Sequence, residues 1–262
     1  MKPWLAAAWL LCAPLPAMAG AWTQDEDHWQ VITGVVLSAA DHSYGSDAPI
    51  RFRRALFTSY TEYGLRENLT LFAATESAYV DVTQGGQAPY HAIDNAVEAG
   101  ARLRIDPWLD WGDFGALSLE ASLRTAGAFN FAVSANRSTG GDGGQLRLLY
   151  GRSFKLWDRD AFAGIELGHH FLAGERPDET PFDLTAGLWL DPNNMMLLQS
   201  FNLFAGAGDI AAYPSFESHK MQISWVRRLS GRFLLQTAGF FSPAGHNALV
   251  EQGVCLSLWM RF

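Results

Sequence analysis

Cysteine is nearly absent from this chain of 262 residues, which contains only two. Cys12 lies in an N-terminal segment that we expect to be removed, so Cys255 would be the only cysteine of the mature protein. A single cysteine excludes an intramolecular disulfide framework. The fold must therefore be stabilised by packing and hydrogen bonds.

Long apolar runs are missing after the N-terminus. A membrane-spanning helix needs about 20 predominantly apolar residues, and the uncharged stretch 233–250 is interrupted by Gln236, Pro243 and Asn247. No run with a helical period and capping residues is found either. The sequence therefore excludes a bundle of membrane-spanning helices.

Basic residues are in the minority, because 19 Lys and Arg side chains stand against 27 Asp and Glu side chains, for a net charge of −8. Proteins that bind nucleic acid present basic surfaces, so we expect no nucleic-acid partner. Several of the acidic residues fall in the connections between the predicted strands, where we expect solvent around them.

The N-terminus has the three parts of a signal peptide. Lys2 precedes an uncharged run that ends in Ala17, Met18 and Ala19, which is the small-residue pattern of a cleavage site. The bulky residue Leu11 before Cys12 argues against a lipid-attachment site. We predict cleavage after Ala19, which leaves a single exported domain at 20–262.

An alternation of period two runs along the rest of the chain. Segment 96–105 is apolar on one face and polar on the other, as expected of a strand between an oily and a polar environment. Segment 114–124 repeats the pattern. Ten further segments are predicted on the same grounds: 28–40, 52–63, 69–80, 145–154, 161–172, 182–190, 195–204, 218–228, 233–242 and 249–262.

The connections between these segments alternate in length. Short turns at 64–68, 191–194 and 229–231 follow even-numbered strands, and long connections at 41–51, 81–95, 125–144, 173–181 and 205–217 follow odd-numbered ones. This asymmetry is typical of bacterial outer-membrane barrels. We therefore predict an all-β, transmembrane, antiparallel up-and-down barrel of about twelve strands, or ten if the poorly alternating segments near Phe52, Met195 and Phe233 merge.

A soluble β-sandwich would also have strands of period two. It would not require alternating loop lengths or aromatic residues at the strand ends, where outer-membrane barrels carry two aromatic girdles. The residues predicted for the girdle beside the short turns are Tyr63, Trp108, Trp111, Trp157 and Phe262, and those predicted for the other girdle are Tyr79, Phe129, Phe171 and Phe182.

The last strand carries the sharpest single pattern. Apolar residues alternate to a terminal aromatic at Val254, Leu256, Leu258, Met260 and Phe262. This strand resembles the C-terminal strand of bacterial outer-membrane proteins, whose final phenylalanine and alternating apolar residues are recognised by the barrel-assembly machinery. The resemblance implies that machinery as a partner.

A second resemblance lies in the hairpin 62–71, which reads Glu-Tyr-Gly-Leu-Arg-Glu-Asn-Leu-Thr-Leu. It resembles the hairpin of small bacterial outer-membrane β-barrel proteins of the porin-like group, which are assigned as transporters or associated with phenol degradation. That group has Thr-Asp where this chain has Arg66 and Glu67. The resemblance implies a barrel along most of the chain and carries no catalytic residues.

The polar faces of the strands would point into the barrel lumen. Acidic and basic residues are nearly balanced there, which predicts cross-strand pairs such as Glu120 with Arg102 rather than a ring of one sign. A salt-bridged filling and a solute pathway are both compatible with this balance. The predicted lumen-lining residues are Glu76, Glu98, Arg102, Arg104, Glu120, Arg124, Arg147, Glu166 and Glu251.

Catalytic and metal-binding patterns are weak. Ser218 and His219 are neighbours in a strand and point to opposite faces, so they do not form a nucleophile and base. His169 and His170 diverge in the same way, and the glycine-rich run 140–144 is a single copy of a calcium-loop pattern. We expect no enzyme activity, no metal site and no cofactor.

The sequence therefore predicts a monomeric, passive outer-membrane channel for small solutes, in contact with outer-membrane lipid and lipopolysaccharide. A twelve-stranded lumen lies between the filled eight-stranded barrels and the open sixteen-stranded porins. The alternatives are a structural or surface-interaction barrel without a conducting pore and, least favoured, an outer-membrane lipid hydrolase.

Overall fold

The computed structural model describes residues 20–45, 49–84, 89–109, 114–126, 142–174, 176–208 and 214–262. Twelve antiparallel strands form one closed barrel in which each strand pairs with its neighbours in the chain. The strands are β1 (Trp29–Ala40), β2 (Ile50–Arg66), β3 (Leu69–Gln84), β4 (Tyr90–Arg104), β5 (Ala116–Ala126), β6 (Gly143–Leu156), β7 (Arg159–Leu172), β8 (Glu179–Asp191), β9 (Asn194–Ala205), β10 (Phe216–Arg228), β11 (Phe233–His246) and β12 (Gln252–Arg261).

Strands β1 and β12 close the barrel. Their register runs from Gln30 opposite Arg261 to Ala39 opposite Gln252. Just outside this ladder, Trp29 and Phe262 exchange two backbone hydrogen bonds, with N···O distances of 3.0 and 2.9 Å. The predicted all-β barrel of twelve strands is therefore confirmed, and the alternative with ten strands is wrong.

Several strands are longer than the alternation predicts. The long connection predicted at 81–95 is wrong, because β3 continues to Gln84 and β4 begins at Tyr90. The prediction for 173–181 is too long as well, since β8 begins at Glu179, whereas the last strand begins at Gln252 rather than at 249. In β3 and β4 the backbone pairing continues beyond the predicted ends, as far as Val82 opposite Tyr90.

The pattern inverts near one end of β2. Phe52 points into the barrel and is buried, whereas Arg51 and Arg53 on the outward face are exposed. Arg53 lies opposite Asp81 in the β2–β3 register, and the Asp81 carboxylate is 3.8 Å from the ring of His91. A polar outside and an apolar inside indicate that this end of the barrel lies above the apolar band.

The outward surface of the barrel is largely apolar. Aromatic side chains lie near both of its ends, including exposed Tyr79 and Phe171 at the end with the longer connections, called here the long-loop end. Trp108, Trp157 and Phe262 are exposed at the opposite, short-turn end. Trp111 and Phe129, which were predicted for the two girdles, lie outside the described residues. No helix among the described residues is long and apolar enough to cross a membrane.

The described residues form three apolar clusters inside the barrel. The first, nearer the short-turn end, consists of Phe162, Met195, Leu197, Val226, Leu234 and Trp259. The second, near the long-loop end, consists of Ala40, Ile50, Phe52, Ala78, Val80 and Val82. The third is small and consists of Ala21, Ala116 and Leu149. The interior is therefore not a uniformly polar surface, and the inner wall also carries charged and uncharged polar side chains.

Candidate functional site: the interior of the barrel

A short segment of chain before β1 lies inside the barrel. Residues 20–24, called here the inner segment, precede an exposed stretch at 25–28 that leads to β1. Asp27 donates its backbone N–H to the carbonyl of Gly64 at 2.8 Å, beside the short β2–β3 turn. The inner segment therefore reaches the interior through the short-turn end of the barrel.

The inner segment runs along the inner wall from β3 to β7. Its first contacts are with β3, where Thr70 Oγ1 accepts the backbone N–H of Gln24 at 2.8 Å. Further along, Ser118 Oγ of β5 donates to the carbonyl of Ala21 at 2.6 Å. Gly20 then lies against Glu166 of β7. The inner segment consequently occupies part of the cross-section of the lumen.

Trp22 anchors the inner segment by packing. Its indole ring meets the ring of Phe162 edge-on, with the centroids 6.3 Å apart, and contacts the cluster around Met195 and Val226. Gly151 leaves room for the indole, because a β-carbon at this position would overlap the Trp22 ring. The absence of a side chain at residue 151 is thus part of how the inner segment fits.

Arg102 is the centre of a buried ion-pair network. It is 5% exposed, and its guanidinium lies 2.8 Å from Glu62 and 2.8 Å from Glu120. The same group donates to the carbonyl of Trp22 at 3.2 Å. Glu62 in turn accepts a hydrogen bond from the Gln24 amide at 2.7 Å. The network therefore joins three strands to the inner segment.

Two more arginines each bridge two carboxylates. Arg124 lies 2.6 Å from Glu76 and 3.7 Å from Glu98. Arg147 lies 2.9 Å from Glu166 and 3.5 Å from Asp183. On the inner side of the wall, Arg124 therefore links β3, β4 and β5, and Arg147 links β6, β7 and β8.

One carboxylate has the opposite arrangement and is shared by two cations. Glu251 lies 2.8 Å from Arg54 and 2.5 Å from Lys220. Glu251 is 4% exposed, so the ion pairs compensate a charge that has little access to water. This group joins β2 and β10 to the chain just before β12, close to the long-loop end.

The predicted lumen-lining residues therefore fall into separate groups. Glu120 and Arg102 are adjacent, as the sequence predicts, and Arg124 is brought to Glu76 and Glu98. Arg104 is the exception, because it is directed toward the 3₁₀ turn Asp106–Trp108. Its guanidinium lies 2.7 Å from the Asp106 carboxylate.

The turn around Asp106 is held by contacts with residues close to it in the sequence. Its carboxylate also accepts the backbone N–H of Leu117 at 3.0 Å. Burial disfavours the ionised form, but the Arg104 guanidinium and the Leu117 amide outweigh that effect and lower the pKa of Asp106. Arg104 and Asp106 therefore fix the β4–β5 connection at the short-turn end.

Sequence reasoning missed the inner segment, the three inner apolar clusters and the contact between Arg102 and Glu62. The contact joins strands that are not neighbours, so cross-strand pairing rules do not predict it. A signal for the inner segment does exist: residues 20–24 carry a tryptophan and two polar side chains without alternation, directly before the first strand.

The weaker candidate sites do not come together. Ser218 is buried, while the ring of His219 bonds to the Asn202 amide oxygen at 2.8 Å on the other face of β10. His169 and His170 each approach one carboxylate, of Asp178 and Glu179. Among the described residues no group of three His, Cys, Asp or Glu is arranged to hold a metal. Residues 140 and 141 of the glycine-rich run lie outside the described residues.

Adding a single methyl group at residue 151 should test how the inner segment is held against the wall. Replacing Gly151 by alanine places a β-carbon where the Trp22 ring now lies, so we expect displacement of Trp22, a red shift of tryptophan emission and more frequent open-channel events. Gly144→Ala is the matched control on the same strand, because its β-carbon would make only ordinary contacts of 3.5 Å or more. Equal emission and equal recordings for the two variants would contradict this account of residue 151.

Comparisons with known proteins support the architecture. No family model matches the chain, and a search of curated proteins finds no match. A COG4313 outer membrane channel from Pseudomonas putida F1 is similar in structure, with a TM-score of 0.64 and 14% identity over 94% of this chain and 99% of that one.

Two further solved structures are similar. The translocator domain of the autotransporter NalP from Neisseria meningitidis has a TM-score of 0.55 and 14% identity over 91% of this chain and 90% of that one. The NanC porin has a TM-score of 0.53 and 7% identity over 88% and 98%. At these identities the likeness establishes the fold, a barrel of the kind found in outer-membrane channels, porins and translocators.

Proposed function

We propose that this protein is an outer-membrane β-barrel that acts as a passive channel for small solutes, narrowed by its own inner segment. The observation that carries the proposal is the course of residues 20–24, which lie inside the barrel along its wall and are held there by hydrogen bonds to inward-facing Thr70, Arg102 and Ser118. The charged network around Arg102 adjoins the inner segment on one side, and the apolar cluster that contacts Trp22 adjoins it as well. In this proposal the polar groups line a hydrated path for solutes beside the inner segment.

The outward face supports a location in the outer membrane. Exposed apolar side chains such as Leu123, Ile165 and Val254 lie on the strands, and a closed barrel leaves no strand edge unpaired in lipid. Outer-membrane lipid and lipopolysaccharide are the partners that such a surface meets. A signal peptide cleaved after Ala19 and assembly as a monomer complete the proposal.

Weak charge selectivity follows from the arrangement of the charges. Arg102, Arg124 and Arg147 each face two carboxylates, whereas Glu251 faces two cations. A strongly selective pore presents a ring of one sign. Here cations and carboxylates are interspersed and these residues do not form a ring of one sign, so small solutes of either sign should pass slowly.

Planar-bilayer recording on the refolded mature chain tests the channel function. We expect a reproducible unit conductance that is smaller than that of open sixteen-stranded porins, with a modest preference between cations and anions. The control is the same chain refolded and then heat-denatured in the same detergent. A barrel that is fully folded by its heat-modifiable mobility and remains electrically silent would favour a structural or surface-interaction role.

The terminal phenylalanine provides a test of assembly. Deletion of Phe262 removes the two backbone hydrogen bonds to Trp29 and the aromatic end of the strand that resembles an assembly signal. We expect slower appearance of the heat-modifiable form and a several-fold lower yield in the outer membrane. Phe241→Ala, which removes an exposed aromatic ring from β11, is the control. Full membrane yield without Phe262 would refute its role as a signal.

A further inference from the structure

We propose that the α-ammonium group of Gly20, created when the signal peptide is removed after Ala19, binds the Glu166 carboxylate inside the barrel and fixes the inner segment against the inner wall. The inference rests on the proposed export and processing of the chain. It assigns Glu166 as the carboxylate that binds the protein's own N-terminus. Cleavage of the signal peptide then supplies the cation that pairs with Glu166 inside the barrel.

The position of Gly20 supplies the geometry. A β-carbon built on this residue would lie 3.0 Å from the carboxyl carbon of Glu166 and 3.0 Å from a methyl carbon of Leu149. The backbone nitrogen lies about 2.5 Å from such a β-carbon. The amino group is therefore within roughly 5.5 Å of the Glu166 carboxyl carbon, close enough for a small rotation to form an ion pair.

The surrounding charges favour a cation at this place. Two guanidinium groups face four carboxylates in adjoining parts of the wall, and burial makes uncompensated negative charge costly. An α-ammonium group would reduce this deficit without another side chain. The groups concerned are Arg102 with Glu62 and Glu120, and Arg147 with Glu166 and Asp183.

The residues after Gly20 hold the chain end in place. The carbonyl of Ala21 accepts a hydrogen bond from Ser118, the carbonyl of Trp22 accepts one from Arg102, and the N–H of Gln24 donates to Thr70. These contacts do not depend on a free amine, so they can position Gly20 in advance. In an unprocessed chain an uncharged amide would stand beside Glu166 in place of the ammonium group.

The test measures the N-terminal amine of protein purified from outer membranes. Intact mass first establishes whether the mature chain begins at Gly20. The amine is then labelled with 2-pyridinecarboxaldehyde, which reacts with the neutral amine, across a range of pH in the folded and the denatured protein. We expect labelling of the folded protein to be about ten-fold slower near neutral pH, with its profile moved about one pH unit upward.

Two variants separate the ion pair from simple shielding. Glu166→Gln should return the profile toward that of the denatured protein, whereas Glu98→Gln, whose carboxylate bonds to Ser122 and Arg124, should leave it unchanged. A mature chain that begins elsewhere would overturn the proposed processing and this inference together. A chain that begins at Gly20 with the same profile folded and denatured would overturn the inference alone, even if Glu166→Gln failed to fold.

Discussion

Removal of residues 20–24 is expected to raise the unit conductance several-fold. The inner segment lies inside the barrel between Thr70 and Glu166, and its removal replaces a chain of bulky and polar groups with water. The freed donors and acceptors on the wall, including Arg102 and Ser118, remain paired or become hydrated. Planar-bilayer recording of the deletion variant beside the mature chain measures the effect.

The control for this deletion is removal of residues 206–208 from the connection between β9 and β10. These residues lie at the long-loop end, and a β-carbon at Gly206 would contact nothing within 4 Å. This control shortens the chain without touching the inner segment, so its conductance should remain that of the mature chain. If removal of 20–24 left the conductance of a fully folded barrel unchanged, another constriction would limit the pathway.

Replacement of Arg102 by methionine is expected to lower the free energy of unfolding by about 3–5 kcal/mol, the range for breaking a buried ion pair. Glu62 is 2% and Glu120 is 8% exposed, and both would lose their cation in a place that water reaches poorly. The variant would also lose the hydrogen bond to the Trp22 carbonyl. Equilibrium unfolding in urea from lipid vesicles measures the loss.

A compensated variant distinguishes charge from packing. Arg102→Met combined with Glu62→Gln and Glu120→Gln removes both uncompensated charges, so it should recover much of the stability lost in the single variant. Arg152→Met, at an exposed position on β6, should change stability little. A triple variant as unstable as the single one would assign the loss to the arginine's packing instead.

The sequence predicts the strands best where lipid and a polar interior act on opposite faces. In β4 and β5 that contrast gives a clean alternation, and the Arg102–Glu120 pair follows from it. The segment near Met195 alternates poorly because Met195 packs inside the barrel while Met196 faces outward. A binary pattern does not separate two apolar environments.

Other features depend on distant contacts that no local pattern encodes. Lys220 of β10 pairs with Glu251, which lies 31 residues further along the chain, just before β12. Phe52 does not fit the alternation expected from the sequence. The apolar band on the outside of the barrel ends before this residue, and Phe52 packs in an inner apolar cluster instead. The inner segment has no strand period at all, and its place is set by side chains from more than five strands.

The closure between β1 and β12 has a consequence for the order of folding. Gln30 and Arg261, bonded across that closure, are 231 residues apart in sequence, whereas the bonds of the inner segment span 46 residues to Thr70, 80 to Arg102 and 97 to Ser118. Loop-closure entropy grows with separation, and contacts between distant residues form slowly. The inner segment can therefore dock on a nascent, still open sheet, and the ring then closes around a bore whose occupant is already in place.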